Sequence, residues 1–252
     1  MFMALLCSYI ILYKITGSKL SFLPLLFPPV MLSQSTLVAT EIPAIFFILL
    51  SIYLFKKQKF AISILVSALG FWIRPVAIIS AVVIFIYLLT KNKIKAVKYL
   101  PFFLLPIVLL LLFNSHFFGS NDPFHQFTAY RNLGVGTLGI TQIFADIPRA
   151  LRWGWYRIFA SGVFYFSLAI FLLTSTLMEI KKRTEVFIKI VSMALLASLL
   201  FIFSLNSVPF LENLGRYLAS TIPLFWIIFH DNFKSKKWVY FLLPISLIVV
   251  LF

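Results

Sequence analysis

An all-α fold, a polytopic bundle of about eight to ten membrane-crossing helices, is predicted by three observations. The first is composition: 62% of the 252 residues are hydrophobic, 12% are charged, and the mean hydropathy is +1.04. A soluble domain is roughly 45–50% apolar and about 25% charged, so this chain lacks the charge to cover a water-facing surface. The second is a ladder of apolar runs separated by charge or turn residues. The third is the placement of the lysines, which alternates with those runs.

In chain order the runs are residues 1–13, 20–38, 42–55, 60–73, 76–89, 99–118, 158–178, 186–204, 217–230 and 238–252. A perpendicular crossing takes about 20 residues. Runs 42–55 and 60–73 are shorter, so they re-enter, recruit flanking residues, or sit against protein rather than lipid. The first run has no basic segment before it and no small-residue cleavage site after it, unlike a secretory leader. With no internal repeat and no linker, one transmembrane domain over residues 1–252 is expected.

If each run reverses direction, the clusters Lys14/Lys19, Lys56/Lys57/Lys59, Lys91/Lys93/Lys95/Lys98, Lys181/Lys182/Arg183/Lys189 and Lys234/Lys236/Lys237 all fall on one side. That side holds 16 of the 22 basic residues and every lysine. Lysine-rich loops are cytoplasmic in polytopic proteins, so a multi-pass protein of a bacterial inner membrane is expected. The net charge of +15 is thereby accounted for by topology, and no nucleic-acid motif accompanies it. The basic residues opposite are all arginines: Arg74, Arg131, Arg149, Arg152, Arg157 and Arg216. A guanidinium matches phosphate oxygens in a bidentate way and keeps its charge. Contact with outer-leaflet headgroups explains the same residues without a dedicated site.

Residues 119–157 form the longest stretch outside the runs. The first half, rich in Gly and Asn, reads as an extracytoplasmic loop. The second reads as a juxtamembrane helix, with Asp146 as N-cap, Pro148 in the first turn, Arg149 and Arg152 one turn apart, and Trp153, Trp155 and Tyr156 at the interface.

Three short stretches at outer helix ends carry candidate chemistry. Thr40 and Glu41 open one run, with Pro43 in its first turn; Thr40 suits an N-cap, and the helix dipole favours the Glu41 charge in either a structural or a functional role. Arg74, before Pro75, interrupts two apolar runs, and an arginine near membrane depth needs a partner or water. Arg216 and Tyr217 open another run ahead of Pro223. His116, His125 and His230 lie on different segments, and their spacing matches no metal motif. Cys7, the single cysteine, forms no intrachain disulfide.

Thr40-Glu41 opening an apolar run, then a lysine-rich turn, then Ala68-Leu69-Gly70-Phe71-Trp72-Ile73-Arg74-Pro75, with Arg216-Tyr217-Leu218 and Pro223 further on, resembles the polytopic GT-C glycosyltransferases. The likeness is to the protein O-mannosyltransferases and lipid A aminoarabinose transferases, and covers roughly residues 20–89 and 213–229. It implies transfer of a sugar from a polyprenyl-phosphate carrier to an acceptor on the extracytoplasmic face. Glu41 would be the catalytic carboxylate. Arg74, Arg216 and Tyr217 would bind substrate; Arg131, Arg149 and Arg152 of the outer loop are further candidates by residue type, since no family motif singles them out. The implied partners are membrane lipid and the polyprenyl-phosphate-linked sugar; a divalent metal is implied by the family alone, and no cofactor is otherwise indicated.

The family has an earlier helix and a large acidic outer loop. Here no acidic residue precedes Glu41, so the expectation is an N-terminally incomplete transferase, with inactivity of the chain alone as a consequence to be tested. The alternatives are a transporter or flippase for lipid-linked glycans, with Asn114, His116 and Asn206 as polar residues in or near the runs, and a polysaccharide polymerase or ligase.

Overall fold

The computed structural model describes residues 2–26, 40–122, 148, 156–204, 214 and 217–231. All regular structure among the described residues is helical, without a strand. The helices are α1 (Phe2–Thr16), α2 (Leu23–Leu26), α3 (Glu41–Lys56), α4 (Phe60–Gly70), α5 (Ile78–Lys91), α6 (Lys93–Val97), α7 (Leu100–Phe118), α8 (Tyr156–Lys182), α9 (Val186–Ser204) and α10 (Ile222–Phe229). Among the described residues, three segments are long and apolar enough to cross a membrane: α7, Phe164–Lys182 within α8, and α9. Phe2–Thr16, Phe60–Gly70 and Pro75–Lys91 are apolar but shorter. The expected eight to ten crossings therefore require the short helices to span as well.

Helix α3 is the centre of the bundle, packed on α1, α4, α5 and α10. Its Ile42, Ile45, Ile48, Leu49 and Ile52 are fully buried, at the helical spacing that stacks side chains along one side. Ser63 Oγ of α4 donates to the Ser51 carbonyl of α3 at 2.7 Å. Ser67 Oγ donates to the Ala77 carbonyl at 2.6 Å and accepts the Ala81 N–H at 2.8 Å. Small hydroxyl side chains let helices approach closely and satisfy their own polar groups, at about 0.6–2 kcal/mol per bond in an apolar setting. Gly70 marks the tightest approach: a Cβ there would lie 2.8 Å from Ala77 Cβ and 2.9 Å from Phe47 Cβ.

The ends of the runs are set by residues that hydropathy does not weigh. Run 186–204 matches α9, and run 42–55 matches α3 within a residue at each end. Run 60–73 stops being helical at Gly70, because Pro75 disfavours helical backbone at Arg74, which is extended at φ −151° and ψ 135°. Run 20–38 is not one helix in its described part: a 3-10 turn at Lys19–Phe22 gives way to the four-residue α2. In run 217–230, Tyr217 and Leu218 are helical, a turn at 219–221 interrupts, and α10 follows over Ile222–Phe229 with Pro223 in its first turn. Run 238–252 lies outside the described residues. So does most of the 119–157 loop with its expected juxtamembrane helix; of that helix Pro148 is seen as helical, and Tyr156 starts α8.

The lysine-bearing helix ends meet at one end of the bundle. Lys56 Nζ, in the last turn of α3, donates to the Ile15 carbonyl near the end of α1 at 2.6 Å, where a cation suits the helix dipole. The same ammonium lies 5.4 Å from the Phe187 ring of α9. Phe55 packs edge-on against Tyr87 of α5 and stacks on Phe187, and Phe60 meets Tyr99 beside α7.

Candidate functional site

The opposite end of α3 carries the site. Helix α4 runs back from the lysine turn to Gly70, which lies against Phe47 of α3, and the turn that follows carries the chain on to the first residue of α3. The Trp72, Ile73 and Arg74 amides close the turn on the Leu69 and Gly70 carbonyls. Trp72 Nε1 donates to the Pro106 carbonyl of α7 at 2.9 Å, and its ring lies 6.1 Å from that of Phe113. This turn holds Arg74 against the first residues of α3.

Arg74 and Glu41 form an ion pair through Nη2 and Oε1. The Glu41 side chain is 1% exposed and that of Arg74 14%. Arg74 Nε donates to Thr40 Oγ1 at 2.9 Å. The guanidinium carbon lies 6.0 Å from the centroid of the Tyr217 ring, within reach of a cation–π attraction. Tyr217 itself is buried, as are Leu218 and Ala219, and it is helical just ahead of the turn that leads to α10. Three segments far apart in the chain thus meet on one guanidinium.

Sequence reasoning singled out Glu41, Arg74 and Tyr217 separately, and the fold brings them together. It also assigned Thr40 to capping, which is not what the hydroxyl does. Thr40 makes no side-chain cap bond and has helical backbone, and its oxygen is taken by Arg74. The competing donor is charged, and charge-assisted bonds are the stronger kind. Glu41 does open α3, as expected. Arg74 does not extend outward to headgroups; it turns inward onto a buried carboxylate. Arg131, Arg149, Arg152 and Arg216 lie outside the described residues, as do Asp146, His125 and Asn206.

Two polar residues of α7 have structural roles. Asn114 is fully buried, and its Nδ2 donates to the Asp122 carbonyl at 2.9 Å. Gly119, at φ +63°, ends α7 in the left-handed conformation, and its N–H returns to the Ser115 carbonyl at 3.1 Å. Neighbouring His116 meets the edge of the Phe117 ring.

The described residues do not suit the divalent metal that the family resemblance implies. Among them no three His, Cys, Asp or Glu side chains gather. The carboxylate at the site already faces a guanidinium, whose positive charge repels a second cation.

Chemically, the arrangement presents an oriented arginine, fixed on one side by a carboxylate and a hydroxyl and on the other by an aromatic face. The pair is charge-balanced as it stands, so the oriented guanidinium can take up an anionic group by exchanging Glu41 for it. No family model matches this chain, and no curated protein or solved structure matches it either.

Proposed function

We propose that this chain is a multi-pass membrane protein whose lysine end faces the cytoplasm. We further propose that its arginine end transfers a sugar from a polyprenyl-phosphate carrier to an acceptor on the extracytoplasmic face. The convergence of Glu41, Arg74 and Tyr217 on one buried site carries this reading. Transfer from a phosphate carrier leaves negative charge on the departing phosphate, and a fixed guanidinium lowers that cost without reorganising. In this reading Arg74 meets the carrier phosphate, Tyr217 sets the plane of the guanidinium, and Arg216 follows as its chain neighbour. Glu41, engaged by Arg74, works first as a positioning residue. A base role toward the acceptor would require the ion pair to open as the phosphate takes over the guanidinium.

The gathering of lysine-bearing helix ends at one end of the bundle supports the topology. Reporter fusions after Lys57 and Lys93 test it: both on the cytoplasmic side is the expected result, and placement across the bilayer from each other would sink the map. The chemistry is tested by incubating the purified chain with a polyprenyl-phosphate sugar and following both glycan transfer and carrier translocation. Transfer that is lost in Arg74→Ala and Glu41→Gln supports the enzyme. Translocation without transfer supports a flippase. Transfer by the chain alone would also remove the expectation that a further N-terminal acidic loop is required.

A further inference from the structure

We propose that the lysine end carries a dedicated surface for anionic phospholipid headgroups, centred on α6 and the adjoining α3–α4 turn. The inference rests on the membrane reading of the chain but not on sugar transfer. Between Glu41 and Asp122 the sequence contains no acidic residue, so nothing within that stretch neutralises its lysines. Lys59, Lys91, Lys93 and Lys98 are all exposed. The ring contact between Phe60 and Tyr99, with centroids 6.2 Å apart, brings the two lysine segments side by side.

Helix α6 adds the feature that distinguishes a lipid from other polyanions. Ala96 is fully buried against the bundle, while Ile94 is 79% and Val97 59% exposed. The segment is held by the Ala96 N–H to the Asn92 carbonyl at 3.0 Å and the Tyr99 N–H to the Ala96 carbonyl at 2.9 Å. Two apolar side chains therefore project from the protein among ammonium groups, at the point where α7 begins. RNA or an acidic peptide would answer the charge but leave Ile94 and Val97 in water. A bilayer answers both, with the side chains at the acyl boundary and the ammonium groups among the phosphates.

The test reconstitutes the full chain in phosphatidylcholine vesicles and adds spin-labelled phosphatidylglycerol or spin-labelled phosphatidylcholine. The fraction of each label immobilised by the protein is then compared. Expected is an about five-fold preference for phosphatidylglycerol, the factor that a single lysine near an anionic surface contributes, falling toward unity at high salt. Substituting Lys91→Gln, Lys93→Gln and Lys98→Gln together should abolish the preference, and the corresponding Arg substitutions should keep it. Equal immobilisation of both lipids by the native chain overturns the proposal, as does a preference unchanged by the Gln substitutions. Displacement of the labelled phosphatidylglycerol by polyuridylate or polyglutamate at matched charge also overturns it, in favour of a soluble polyanion. If the Gln variant fails to fold, the native preference and its salt dependence still decide the question.

Discussion

The two ends of this bundle are both cationic, yet they treat their cations in opposite ways. At the lysine end the charges are exposed. Lys56 rests on a backbone carbonyl and an aromatic ring, and Lys57 lies 5.9 Å from the Tyr53 ring. The acidic Glu179 there pairs locally with Arg183 at 2.5 Å, one helical turn on. That hydrogen bond raises the pKa of an already permanent cation. At the other end Arg74 turns away from solvent onto a carboxylate that is almost fully buried. The contrast follows from the side chains. An ammonium on a flexible stem reaches water easily, whereas a guanidinium loses less hydration on burial and satisfies several acceptors in one plane. One end therefore spreads small contributions over many groups, and the other concentrates a large one in a single pair.

The sharpest way to break that comparison is Arg74→Ala. It strands Glu41 in a buried position, and breaking a buried pair from one side costs about 3–5 kcal/mol. A large drop in thermal midpoint is expected in detergent. Glu41→Leu combined with Arg74→Met removes both charges and should restore most of the lost stability. If Arg74→Ala leaves the midpoint unchanged, the pair does not hold this end together.

Next in size is Gly70→Ala. The new methyl meets two Cβ atoms, which move only with their backbones, so overpacking should cost about 1–3 kcal/mol. The damage should extend to the site, since the turn from Gly70 sets Arg74. Lys56→Met tests the lysine end. Loss of the bond to the Ile15 carbonyl should cost about 1–2 kcal/mol, less than Arg74→Ala. The smallest effect is a gain. Gln58 closes the α3–α4 turn at φ +61°, a conformation that favours glycine. Gln58→Gly should therefore raise stability by up to about 1 kcal/mol, measured by the same melting experiment.

Helix identity was legible because long apolar runs in this composition have few other solutions, and α3 and α9 follow their runs closely. Helix ends were less legible. Pro24, Pro75 and Pro223 set local breaks that a hydropathy run passes over. At the site, the sequence identified the residue types and the common end of the bundle, but not the pairing. Glu41 and Arg74 are 33 residues apart, and the direction each faces depends on how α3 and α4 rotate against each other. That rotation is set by close approaches such as Gly70 against Phe47, which no periodicity encodes. Thr40 was misread for a related reason: capping is inferred from local spacing, and its actual donor is distant in sequence.

Helix length has one further consequence. At 1.5 Å per residue, the 11 residues of α4 extend about 17 Å, and the 19 of α7 about 29 Å. The Trp72 bond to Pro106 and its ring contact with Phe113 set the turn after α4 along the middle of α7, which continues to Phe118. Were both helices to span, a bilayer matched to α7 would be too thick for α4, and lipid would thin or water enter beside the turn that carries Arg74.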